Sequence, residues 1–244
     1  MRFRATVAYD GTSYQGWQRQ REGVPTVQAA VEQALRTIAN RPVGVQAAGR
    51  TDSGVHATGQ VIAFDLAWRH EINNLQRAIN ANLPLDVAVE DVAVAPVGFH
   101  PRFDAHSRTY EYVIDNRPVR HPLHSRYAWH VARPLDVDRM NRAAELLVGS
   151  HDFATFGQPP QGTVTVRRLY RAQWAQQGSR LRFTIEANAF LFRMVRSLVG
   201  SLRLVGDGRW TVDAFSAALA AADRTYAGKT APPQGLTLVA VRYE

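Results

Sequence analysis

The stretch Ala48-Gly49-Arg50-Thr51-Asp52-Ser53-Gly54-Val55-His56-Ala57 brings a carboxylate, a guanidinium, an imidazole and two hydroxyls into one short segment. Its glycines let the backbone turn tightly and approach a ligand, and they hold Asp52 between Arg50 and His56. A carboxylate beside a cation stays ionised, which suits Asp52 to act as a nucleophile or a base. The same residues also compose an ordinary hairpin loop, with Asp52 in an Asx turn and Arg50 in water, and the loop alone does not separate these two readings. Other chemistries fit less well. Ser53 is not in a Gly-x-Ser-x-Gly elbow, because Thr51 stands where the first glycine belongs. Asp52 has no second acid in its loop, and the eight histidines show no zinc-ligand spacing. The closest pair, His121 and His124, encloses Pro122 in a loop and reads as surface. With no cysteine in the chain, thiolate nucleophiles, disulfides, iron–sulfur clusters and cysteine-ligated zinc drop out together.

Composition narrows the partner. Of 244 residues 45% are hydrophobic and 20% charged, which suits a globular chain long enough for one large domain or two halves sharing a cleft. No apolar run approaches the roughly 20 residues of a bilayer span. The N-terminus alternates charged and apolar residues instead of forming a signal peptide, so a cytoplasmic protein is expected. The net charge of +8 points to a polyanion, nucleic acid above all, because clustered cations gain affinity by releasing condensed counterions. Lys229 is the only lysine among 29 basic residues, and arginine's planar fork both grips phosphate and stacks on bases. Genomic base composition or heat adaptation would give the same Arg/Lys ratio, but neither explains the net charge.

The elements that must position these residues follow from periodicity. Arg2–Asp10 alternates as a strand and runs into a polar turn, Gly11–Gly16. Thr26 is placed to cap a helix ending near Asn40, with Val27, Ala30, Val31, Ala34, Leu35 and Ile38 at helical spacing. Val43–Ala48 and Gln60–Leu66 read as strands flanking the glycine-rich loop, followed by a helix over Glu71–Asn80 and a strand over Val87–Val94. Strand, helix, strand, strand, helix, strand is the split βαβ order of ferredoxin-like domains. In the second half, Ser107–Asp115 is a strand and Pro134–Val148 a helix. Arg167–Ala175 and Arg180–Ala187 form a hairpin around Gly178-Ser179. Helices over Phe190–Val205 and Val212–Ala222 precede a closing strand, Leu236–Tyr243. The expected architecture is therefore α+β, with two ferredoxin-like halves, residues 1–98 and 99–244, and mainly antiparallel sheets around a central catalytic cleft. Within the Phe190–Val205 helix, Arg193, Arg196, Gly200 and Arg203 would share one face, and Phe192, Val195, Val199 and Leu202 another. The segment Gly157–Val166 reads as a long mobile loop.

Gly49-Arg50-Thr51-Asp52-Ser53-Gly54-Val55-His56-Ala57 followed by Gly59-Gln60-Val61 resembles the catalytic motif of the tRNA pseudouridine synthase I family. Further segments match in order along nearly the whole chain: Tyr9-Asp10-Gly11, Gly16-Trp17-Gln18-Arg19-Gln20, Asn80 to Pro84, Phe99-His100-Pro101-Arg102-Phe103, Arg108-Thr109-Tyr110-Glu111-Tyr112, His151-Asp152-Phe153 and Ala187 to Ser201. The resemblance implies that Asp52 attacks a target uridine, whose glycosidic bond breaks and re-forms to carbon 5, without cofactor or metal. It implies that Tyr110 contacts the target base and takes the proton from carbon 5, that Arg196 pairs with the aspartate, and that Arg50 helps displace the base from its stack. Gln18, Arg19, Arg193 and Arg203 are expected to contact the RNA. The implied substrate is the anticodon arm of tRNA, at positions 38, 39 and 40, bound by a homodimer whose two subunits each tRNA spans. A non-catalytic RNA-binding module and an enzyme of free nucleotides are the rival readings, and activity on intact tRNA against free uridine nucleotide separates them.

Overall fold

The computed structural model describes residues 1–159 and 162–243, and its backbone groups into two compact units, Met1–His106 with Thr237–Glu244, and Ser107–Leu236. The expected division at 98/99 differs from this one, since the first unit runs on to His106 and reclaims the final strand. The chain is mixed α and β with mostly antiparallel pairing, as expected.

The first unit contains β1 (Arg2–Tyr9), α1 (Val27–Ala39), β2 (Val45–Ala47), β3 (His56–Asp65), α2 (Ile72–Ala81) and β4 (Val87–Val94). β1 lies between β4 and β3, antiparallel to both, and β2 pairs antiparallel with β3, which is the ferredoxin-like arrangement. Strand alternation explains the pattern: Phe3, Ala5, Val7 and Tyr9 are buried, and Phe3 stacks on Phe64 of β3. α1 begins where Thr26 accepts the Ala29 N–H and ends at Asn40 in a left-handed conformation, both as its sequence suggests. The opposite face of β3 is covered as well, by Val61 and Ala63 against Ala95, Phe99 and Tyr243.

The second unit contains β5 (Ser107–Asp115), β6 (Trp129–His130), α3 (Val137–Glu145), β7 (Gly149–Asp152), β8 (Val166–Gln177), β9 (Arg180–Ala187), α4 (Met194–Gly206) and α5 (Val212–Ala221). β9 lies between β5 and β8, β7 pairs with β8, all antiparallel, and β6 adds a short parallel pair to β5. The β8–β9 hairpin closes at Gly178-Ser179, with Gly178 in the positive-φ region that tight hairpin turns need. β6 and β7 were not expected, because Trp-His and Gly-Ser-His-Asp carry no apolar alternation. Residues 160 and 161 of the expected mobile loop lie outside the described residues.

Two expectations about long-range structure change. The last strand, β10 (Leu236–Arg242), pairs in parallel with the start of β3, Thr237 opposite His56 and Leu238 opposite Ala57. The helix expected over Phe190–Val205 starts only at Met194, and ten of its thirteen residues are buried. It is therefore a core helix with two part-buried arginines, Arg196 and Arg203, instead of an amphipathic helix with a basic stripe.

Candidate active site

The Asp52 loop is built from backbone outward. Ala48 donates to the Val61 carbonyl, and the fully buried Gln60 side chain clamps Gly49 from both sides. Its Nε2 donates to the Gly49 carbonyl at 2.8 Å and its Oε1 accepts the Gly49 N–H at 3.2 Å. At Asp52 the chain turns: Val55 N–H donates to the Asp52 carbonyl at 3.1 Å, and Gly54 has φ +75°, the conformation a type II turn requires at its third position. Asp52 thus opens a tight turn with its side chain part-exposed, and Arg50 is exposed two residues before it.

A second loop, Gly11–Trp17, braces the first. Tyr9 Oη and Thr51 Oγ1 are 2.7 Å apart, the Trp17 N–H donates to the Thr51 carbonyl, and the Gly54 N–H donates to the Tyr14 carbonyl. Gly11 N–H donates to His56 Nδ1 at 3.0 Å, and Asp10 lies 3.1 Å from the same nitrogen, so His56 serves as a buried strut. Gly16 is required by closeness as well as by its φ of +89°: a Cβ there would stand 2.7 Å from the Thr51 carbonyl oxygen. Gly16→Ala should therefore cost about 2 kcal/mol or more and displace the backbone that carries Asp52. Denaturant unfolding and turnover measure it, and wild-type values of both would show that the loops are not interlocked. Gln18 and Arg19 sit on α1: Gln28 Oε1 accepts from Gln18 Nε2 at 3.0 Å and from the Arg19 N–H at 2.9 Å, and Arg19 Nη1 pairs with Glu32 at 3.0 Å. The Arg19 side chain remains 65% exposed.

In the second unit Tyr110 lies in the middle of β5, opposite Ile185, buried, with the Phe190 ring edge-on at 5.1 Å. Tyr112 projects from the same strand face and donates to the Pro232 carbonyl at 2.8 Å. Burial pushes the Tyr112 hydroxyl far above the usual tyrosine range, against the pull of the Arg196 charge, so this hydroxyl stays neutral. Arg196 is held by a reciprocal pair: its Nε donates to the Ala231 carbonyl at 2.8 Å, and the Ala231 N–H donates to its carbonyl at 3.0 Å. The loop carrying Ala231 is itself fixed to α4. Arg224 Nη1 donates to Ser197 Oγ at 2.7 Å, the Gly228 N–H donates to Ser201 Oγ at 2.9 Å, and a Cβ on Gly200 would fall 1.9 Å from the Lys229 carbonyl oxygen.

The other arginines divide. Arg203 is paired with Asp207 at 3.4 Å and lies 5.5 Å from the Trp129 ring centroid. Arg193 is not on the helix face. It is the N-cap of α4, at φ +60°, with its side chain exposed. Gly16 falls within the expected polar turn and Gln60 within the matched motif, yet their bracing of the Asp52 loop, like the hold of Ala231 on Arg196, is not apparent from residue types. A glutamine within an apolar strand pattern was the one visible signal; the other two act through backbone contacts that leave no pattern. Among the described residues no group of three or more His, Cys, Asp or Glu side chains gathers as a metal site, and no helix is long and apolar enough to cross a membrane.

A family model described as tRNA pseudouridine synthase matches residues 5–104 and 143–244. The tRNA pseudouridine synthase A of Rhizobium meliloti (strain 1021) is 46% identical over 99% of this chain and 99% of its own length. That of Rhodospirillum rubrum is 44% identical, over 100% of this chain and 88% of the relative. That of Neisseria gonorrhoeae (strain ATCC 700825 / FA 1090) is also 44% identical, over 99% and 92%. Among solved structures, a Cbf5-Nop10-Gar1 complex gives a TM-score of 0.35 at 10% identity, covering 83% of this chain and 54% of that one, too loose a fit to carry argument.

Proposed function

The chain belongs to the tRNA pseudouridine synthase family, isomerases that form pseudouridine in tRNA, and from that premise we propose that its targets are uridines 38, 39 and 40 of the anticodon arm, with Asp52 as nucleophile and no cofactor. Asp52 bonds to the nucleotide, the N1–C1′ bond breaks, the uracil turns, a C5–C1′ bond forms, and the bond to Asp52 breaks to return the free carboxylate. C5 loses a proton and N1 gains one, so atoms and electrons balance without oxidant or cosubstrate. Reaching a stacked uridine requires extruding it, at a cost of a few kcal/mol, and Arg50, exposed two residues from Asp52, is the side chain we assign to fill the gap. Tyr110 is assigned to the target base and the C5 proton, and Arg196 to the Asp52 carboxylate, both by the resemblance of their motifs. The observation that most supports the reading is the Asp52 turn, a carboxylate opening a glycine-shaped loop whose backbone is bonded on two sides. The reading extends to a cytoplasmic homodimer, which sedimentation would test.

Transfer RNA labelled with tritium at uridine C5 should release it to water in step with pseudouridine formation, confined to the anticodon arm. Release from other sites, or none, would overturn the reading. Affinity should also fall with salt, the log–log slope counting phosphates neutralised. Arg203→Ala should leave that slope unchanged and lower the melting temperature, because its guanidinium serves Asp207 and Trp129. A flatter slope by about one unit would return Arg203 to the RNA interface.

A further inference from the structure

Residues Ala189–Arg193 leave β9 and enter α4 in an unusual way. Phe190 packs against Tyr110, and Leu191 is buried, yet the Phe192 ring that follows is half exposed. Its backbone is fixed: the Phe192 N–H donates to the Gln158 carbonyl at 2.8 Å, and Gly157 is so close that a Cβ there would lie 2.9 Å from the Phe192 oxygen. Arg193 lays its guanidinium over that ring, 4.8 Å from the centroid. It does so from a left-handed backbone conformation that costs a residue other than glycine about 1 kcal/mol or more. As an N-cap it gives the helix no side-chain hydrogen bond, although serine, threonine, asparagine, aspartate or glycine would serve better there. A strained, poorly capping arginine stacked on a fixed, exposed aromatic is hard to account for by stability. It presents a flat apolar face and a delocalised cation together, three residues from the ring that touches Tyr110.

We propose that the stacked Phe192–Arg193 pair is a platform for an unpaired nucleobase of the RNA substrate, the Phe192 ring taking the base face and Arg193 the adjoining phosphate. Stacking on an aromatic side chain is the usual way to hold a single-stranded base, since every base has a π-face. The inference rests on the tRNA-modifying reading above and adds to it a subsite in the second unit.

Phe192→Leu keeps the apolar bulk and removes the π-face. With anticodon-arm RNA it should raise KM about tenfold, lower kcat much less, and leave the salt slope as in wild type, whereas Phe192→Trp should restore KM. Arg193→Gly relieves the backbone strain, so it should melt at or above the wild-type temperature while KM rises and the salt slope falls by about one unit. A structural role predicts the reverse for Arg193→Gly: a lower melting temperature and an unchanged KM. Wild-type KM in Phe192→Leu, or an Arg193→Gly protein that is less stable but binds normally, would overturn the platform. Failure of the wild-type protein to release tritium would instead overturn the underlying reading, which keeps the two outcomes apart.

Discussion

Asp52→Asn should abolish pseudouridine formation, by at least about a thousandfold in single-turnover rate, while tRNA affinity stays close to wild type. The substitution keeps the size and most of the hydrogen-bonding capacity of the side chain but replaces the anionic carboxylate with a neutral amide, whose oxygen is far too weak a nucleophile to attack the nucleotide. The loop should survive it, because its shape rests on the Gln60 clamp on Gly49, the Tyr9–Thr51 bond and the Val55–Asp52 backbone turn, and none of these uses the Asp52 carboxylate. Single-turnover assays on C5-tritiated tRNA, with affinity measured in parallel, check both halves of the expectation. Turnover in a preparation free of deamidated protein would remove Asp52 as nucleophile. Normal chemistry with lost affinity would make the loop a binding element.

Arg196→Ala should lower the rate at saturating tRNA by about a hundredfold and affect affinity far less. Two consequences separate here. Losing the Nε–H leaves the Ala231 carbonyl without that donor, which costs about 1 kcal/mol and shows in the melting temperature. Losing the charge removes the proposed partner of the Asp52 carboxylate, which shows in turnover. Arg196→Lys keeps a charge without the fork that reaches Ala231, so it should recover part of the rate and little of the stability. If Arg196→Ala binds RNA weakly but turns over normally at saturation, the residue is a phosphate grip and its assignment to Asp52 fails.

Much of the local structure was legible in the sequence. β1 announces itself by strict alternation, α1 by its Thr26 cap and apolar spacing, the β8–β9 hairpin by Gly178-Ser179, and the catalytic candidate by an acid set among glycines in a polar loop. Each of these signals is carried by neighbours in the chain, where the period of 2 or 3.6 and the allowed φ of each residue act directly. α4 shows the limit of that reading. Its arginine spacing is helical on paper, but the helix begins one residue after Arg193, and a wheel drawn through Phe190–Val205 includes residues that were never helical.

What the sequence by itself determined was the type of most elements and the residues able to act as nucleophile, base and cation. Only the tertiary structure decided that β10 pairs with β3, that Gln60 clamps Gly49, that Gly16 must be glycine for the Thr51–Ser53 backbone to pass, that Arg196 holds Ala231, and that Arg203 is held by Asp207 and Trp129. The reason is physical. Periodicity records which way a side chain faces, but a buried polar group must find a partner wherever packing supplies one, and that partner lies here 11 residues away for Gln60 and 35 for Arg196.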